Sequence, residues 1–105
     1  MPEEYFKERS VPITPAEILA KKMESEVSRL APQAVIRNDF TNYKDDGVDI
    51  YIYAPRKVSD ILRSRLKPIF STEMTKSKGG LKAKLLVEDI ENMSPEAKKK
   101  YGIPA

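Results

Sequence analysis

G-V-D-I-Y-I-Y-A-P-R-K-V-S-D-I-L-R-S-R-L-K-P-I-F, residues 47–70, joins a strand pattern directly to a helix pattern. Val48, Ile50, Ile52 and Ala54 fall on one side of an extended chain, and Asp49, Tyr51 and Tyr53 on the other. Successive side chains of a strand point to opposite faces, so the alternation predicts a strand with one buried and one more open face. Pro55 then suits the first position of a helix. Val58, Ile61, Leu62 and Leu66 recur at helical spacing, while Arg56, Lys57, Arg63 and Lys67 fall outside that stripe. The spacing predicts a helix with a basic outer side, stopped at Pro68.

Upstream, Thr14-Pro15-Ala16-Glu17 is a helix start: a hydroxyl to cap free amides, a proline at the first helical position and a glutamate to complete a capping box. Ile18, Leu19, Met23, Val27 and Leu30 form the buried stripe of that helix, and Pro32 ends it. Residues 34–40 read as a strand, followed by a loop in which Asp46-Gly47 suits positive φ. An antiparallel hairpin with residues 48–54 is therefore expected.

Downstream, residues 69–75 read as a strand and Lys78-Gly79-Gly80 as a hairpin turn. Residues 81–88 alternate again, with Leu81, Ala83, Leu85 and Val87 opposed to Lys82, Lys84, Leu86 and Glu88. Ser94-Pro95-Glu96-Ala97 repeats the cap logic and opens a short helix that Gly102 can close. The expected order is α-β-β-α-β-β plus a short C-terminal helix. It implies an α+β two-layer sandwich, with a mostly antiparallel sheet of about four strands and two main helices on one face. The expected organisation is an N-terminal arm at 1–13, whose residues 7–13 can add a short edge strand, a single domain at 14–90, and a short helix and tail at 91–105.

The 105 residues, 40% hydrophobic and 33% charged, fit one folded domain. No cysteine and no histidine are present, which removes disulfides, thiolate ligands, the best thiol nucleophile and the commonest general base. No apolar run approaches the roughly 20 residues of a membrane span, and the acidic N-terminus lacks a signal-type hydrophobic region. A cytoplasmic location without membrane attachment is expected. No G-x-x-x-x-G-K-[ST] or G-x-G-x-x-G loop occurs, and no cofactor is implied. The balance is against an enzyme.

Net charge is +3, and it is unevenly distributed. Residues 55–86 carry nine basic side chains against Asp60 and Glu73, whereas every other stretch of the chain is slightly acidic. This excess points to an anionic partner. Arg56, Lys57, Arg63, Lys67, Lys76 and Lys78 are candidates to neutralise a nucleic-acid backbone. Tyr51 and Tyr53 are candidates to stack on unpaired bases, with Lys82 and Lys84 beside them on the same sheet face. Single strands are the favoured nucleic acid. No ribonucleoprotein-type or KH-type loop motif accompanies them, and tyrosines favour strands in any case.

The alternative is a protein-interaction module or homodimer subunit with an acidic protein partner, built on the tyrosines, Leu86 and strand edges. A third reading is a metal-dependent nuclease using Asp39, Asp45, Asp46 and Asp49, with Glu24 or Glu26. The expected E-x-K on a following strand is missing, and Asp45-Asp46-Gly47 is ordinary turn chemistry.

Overall fold

A computed structural model describes residues 14–103 of the chain. The first helix, α1 (Pro15–Leu30), starts where the capping box predicts: the Thr14 hydroxyl accepts the Glu17 amide at 3.2 Å. A second cap comes from far along the chain, because Asp46 Oδ2 accepts the Ala16 amide at 3.0 Å. The loop before the central strand is thereby tied to the helix start. Leu19, Met23 and Val27 form the buried stripe of α1.

Strand β1 (Val35–Asp39) pairs antiparallel with β2 (Gly47–Ala54), in a register that sets Val35 against Tyr53 and Asp39 against Asp49. Gly47 is required by close approach. A Cβ there would lie 2.5 Å from the Tyr43 ring and 2.8 Å from the Lys82 carbonyl. On β2, Val48, Ile50, Ile52 and Ala54 are all fully buried under the helices.

The sequence reading departs from the structure after Leu66. Helix α2 runs Arg56–Lys76, straight through Pro68, so the helix does not stop there and residues 69–75 form no strand. Pro55 is the cap of this helix and not its first residue. Interior proline costs about 3 kcal/mol through a lost amide bond and a ring clash. That cost is met because the buried stripe does not end at Leu66: Ile69, Phe70 and Met74 pack on the core and Glu73 is buried. Pro68 itself lies on the exposed side, where water can reach the carbonyl it leaves without a partner.

Lys78-Gly79-Gly80 is consequently a helix exit and not a hairpin turn. Lys78 and Gly79 take φ of +51° and +85°, the left-handed region that unwinds a helix end. The next strand, β3 (Lys82–Asp89), therefore arrives by a helical crossover and pairs parallel with β2. Among the described residues the sheet has three strands in the order β1-β2-β3 and is mixed, in place of the expected four mostly antiparallel strands. The α+β class holds, with both main helices packed on one face of that sheet.

After a 3-10 turn at Ile90–Asn92, helix α3 (Pro95–Lys100) is capped by the Ser94 hydroxyl at 3.1 Å from the Ala97 amide. Gly102 closes it at φ +71°, and the Ile103 amide returns to the Lys98 carbonyl at 2.8 Å. This closure buries Ile103 and turns Tyr101 towards the sheet. The arm expected at residues 1–13 lies outside the described residues. Among the described residues, no helix is long and apolar enough to cross a membrane.

Candidate binding surfaces

The face of the sheet turned away from α1 and α2 carries Arg37 and Asp39 from β1, Asp49, Tyr51 and Tyr53 from β2, and Lys82, Lys84, Leu86 and Glu88 from β3. Register places Lys84 beside Asp49, Leu86 beside Tyr51 and Glu88 beside Tyr53. Tyr51, Tyr53, Lys82 and Lys84 thus share one face. The ring faces are already occupied, however. Tyr53 is only 3% exposed and stacks on Tyr101, with centroids 5.2 Å apart and planes 11° from parallel. The Arg37 guanidinium lies 4.2 Å from the Tyr51 ring centre and 4.7 Å from that of Tyr101. Arginine sandwiched between two rings gains cation–π attraction on both sides. The C-terminal segment therefore closes this part of the sheet.

At the other end of the same face, Asp49 is buried and accepts from the Tyr43 hydroxyl at 2.5 Å and from Asn42 Nδ2 at 2.7 Å. The carboxylate holds the Tyr43 phenol above its ordinary pKa, since ionising the phenol would remove the hydrogen bond and set two negative charges together. Asp39 accepts both the amide and the hydroxyl of Thr41, chiefly the hydroxyl, and is held below the usual aspartate range. Asp46 is committed to α1, Glu24 accepts from Asn38 and Glu26 pairs with Arg29. Each of these carboxylates has a structural partner. Among the described residues, no three acidic side chains converge on a possible metal position.

The basic residues do not form one patch. α2 is 21 residues long, so Lys57 at its start and Lys78 beyond its end lie about 30 Å apart. Three of the candidates are also neutralised. Arg56 reaches Asp89 at 3.3 Å and donates its amide to the Glu91 carboxylate at 3.0 Å. Arg63 pairs with Asp60 at 2.9 Å and lies 3.5 Å from Asp89, and Lys76 is 3.7 Å from Glu73. The Ser59 hydroxyl, with Arg56 and Arg63, holds the Asp89 carboxyl below its ordinary value. The acidic stretch that follows residue 86 thus folds back onto the basic stretch before it. Lys57, Lys67, Lys78, Lys82 and Lys84 have no ion-pair partner among the described residues.

Of those unpaired lysines, Lys82 and Lys84 lie on β3 and Lys67 beside it; β3 is an edge strand of eight residues with no strand on its outer side among the described residues. The Lys82 amide donates to the Asp46 carbonyl next to β2, at 3.1 Å. Backbone groups of successive residues alternate in direction, so the even-numbered residues bond β2, while Ala83, Leu85 and Val87 turn theirs outwards. The Val87 carbonyl shows this directly, accepting from Arg63 on α2 at 2.8 Å. Between this outer edge and α2 runs an open groove of about 410 Å³. Phe70, Leu85 and Val87 form its apolar floor, and Arg63, Lys67 and Lys84 its cationic margin.

The cationic margin of this groove and the apolar Leu85 and Val87 of its floor are legible in the sequence, but Phe70 is not. Phe70 reads as a strand residue, because Pro68 hides the continuation of α2. Arg37 and Tyr101, which close the tyrosine face, are also missed. Gly102 and the Ser94 cap do fix Tyr101 at the C-terminal end of α3, but nothing local names Tyr53 as its partner. No protein-family model matches the chain, and no curated protein or solved structure matches it.

Proposed function

We propose that this protein is a non-catalytic protein-interaction module, and that it takes an extended segment of an acidic partner protein as an added strand on the outer edge of β3. The observation that carries the reading is the coincidence of three features: outward backbone groups at Ala83 and Leu85, an apolar groove alongside, and unpaired Lys67, Lys82 and Lys84 around it. A sheet edge supplies main-chain hydrogen bonds, and flanking pockets supply selectivity. Exposed edges are ordinarily blunted against indiscriminate pairing, and lysines on this edge serve that end while attracting acidic chains.

A nucleic acid would meet the same lysines. Base stacking needs a free aromatic face, however, and Tyr53 is buried against Tyr101 while the half-buried Tyr51 already carries the Arg37 guanidinium over its ring. An apolar groove beside a strand edge is of more use to a polypeptide than to a phosphate backbone.

Ala83→Pro separates the two. Its amide points away from β2, so proline there removes an outward donor and leaves the β2–β3 ladder intact. A displayed library of random peptides, selected on the full chain, should yield binders that lose at least about tenfold in affinity for Ala83→Pro, the scale of one or two lost hydrogen bonds. Selected peptides that bind wild type and Ala83→Pro equally would overturn the reading, as would a library that yields no binder.

A further inference from the structure

If a partner segment adds to β3 as proposed, the half-charged character of that edge also constrains the sequence of the segment. A strand laid on this edge places its side chains alternately on the two faces of the sheet. On the open face, its residues lie directly across from Lys82 and Lys84, at the separation where opposite charges attract and like charges repel. On the helix face, the intervening residues point into the groove between β3 and α2, over Phe70 and Leu85. The two faces therefore make opposite demands at successive positions.

The length of the contact is bounded as well. Arg63 already fills the outward carbonyl of Val87 at 2.8 Å, and it is held there by Asp60 and Asp89. The outward groups left to a partner are those of Ala83 and Leu85, with the Val87 amide. At its near end the edge begins at Lys82, whose amide belongs to Asp46. Farther along the open face, Leu86 is 39% exposed and uncharged, and Glu88 reverses the sign. The acidic preference thus applies to the Lys82–Lys84 half of the edge and fades beyond it.

We infer that the segment received by β3 is a short run of alternating acidic and apolar residues, with its carboxylates on the open face against Lys82 and Lys84 and its apolar side chains in the groove against Phe70 and Leu85. This inference rests on strand addition as the mode of binding. Composition alone is insufficient for such a site. The same residues in separate blocks would set carboxylates over the Phe70 and Leu85 floor of the groove or lay apolar side chains beside Lys82 and Lys84.

The test uses two short synthetic peptides of identical composition and the 105-residue chain. In one peptide glutamate alternates with leucine, and in its isomer the glutamates and leucines form two blocks. Fluorescence anisotropy should show the alternating peptide binding about tenfold more tightly, the sum of two cross-strand charge pairs and a seated apolar face. Lys82→Glu with Lys84→Glu, both at exposed positions that leave the core untouched, should remove most of that preference. Equal affinity of the two peptides, each still lost with Ala83→Pro, would overturn the alternation and leave strand addition standing. Equal affinity with no effect of Ala83→Pro would overturn both. Hydrogen exchange on the unliganded chain guards the choice of occupant. Rapid exchange of the Leu85 amide is expected. Protection of that amide in a monomer would assign the edge to a segment of this chain, and protection in a dimer would assign it to a second copy. Either result would overturn the proposal.

Discussion

Tyr101→Ala removes the ring that closes the open face of the sheet, and its cost can be assembled from the contacts. The ring stacks on Tyr53 at 5.2 Å, which contributes about 0.5–1.5 kcal/mol beyond area burial. It also forms one side of the Arg37 sandwich at 4.7 Å, worth about 0.5–1 kcal/mol. Tyr101 is half-buried, so the apolar surface it withdraws from water adds roughly 1 kcal/mol more. The expected loss is about 2–3.5 kcal/mol, a substantial part of the roughly 5–15 kcal/mol by which a small domain is stable. Urea denaturation of wild type and Tyr101→Ala at neutral pH measures the difference. Arg37→Ala and the double variant complete a cycle, in which Arg37 and Tyr101 should couple by roughly the energy of one cation–π contact. A loss below about 0.5 kcal/mol, the usual range for surface substitutions, would refute the claim that the C-terminal segment is a packed cover.

Pro68→Ala restores an amide bond in the middle of α2 at an exposed position, and should stabilise the chain by about 1–3 kcal/mol in the same urea assay; a destabilised variant would mean that the helix does not run through residue 68. Gly47→Ala should cost about 1–3 kcal/mol, because the added methyl meets the Tyr43 ring and the Lys82 carbonyl inside contact distance, and an unchanged thermal midpoint would contradict that packing. Glu73, hydrogen-bonded first by Lys22, and Asp89 both titrate below their ordinary values, so the folded chain binds protons less readily than the unfolded one. Their contribution to stability is fully present above about pH 5 and is lost as pH falls through the folded pKa values; a urea midpoint that stayed flat down to about pH 3 would argue against both pairings.

Much of the fold is legible where local chemistry and burial agree. The Thr14 and Ser94 caps, the apolar face of β2 and the Gly102 closure are each decided within a few residues, and each reappears in the structure, whereas the face of β2 expected to be more open is also covered, with Asp49 and Tyr53 buried. Misreading begins at Pro68, where local propensity and tertiary burial conflict. Proline argues for a stop, while Ile69, Phe70 and Met74 continue a stripe whose burial outweighs the penalty. From that single position come the extra strand, the false hairpin at Lys78-Gly79-Gly80 and the antiparallel sheet.

The candidate binding surface is less legible for a different reason. Charge counted along the chain shows an excess, but Asp89 and Glu91 return in space to Arg56 and Arg63. What remains unpaired is decided by topology and not by composition. Likewise, which strand lies at the edge of the described sheet depends on the parallel crossover, so the placement of Lys82 and Lys84 on that edge becomes visible only once β3 pairs with β2.

Strand addition at β3 can be set against base stacking in a single nuclear magnetic resonance titration of the isotope-labelled full chain, with the alternating acidic peptide in one arm and single-stranded oligonucleotides in the other. Strand addition predicts saturable shifts with the peptide at Ala83, Leu85 and Phe70, and slowed exchange of the outward amides of β3, while Tyr51, Tyr53 and Tyr101 stay unmoved. Saturable shifts with the oligonucleotides centred on Tyr51, Tyr53, Lys82 and Lys84, with none at the β3 edge from the peptide, would contradict it.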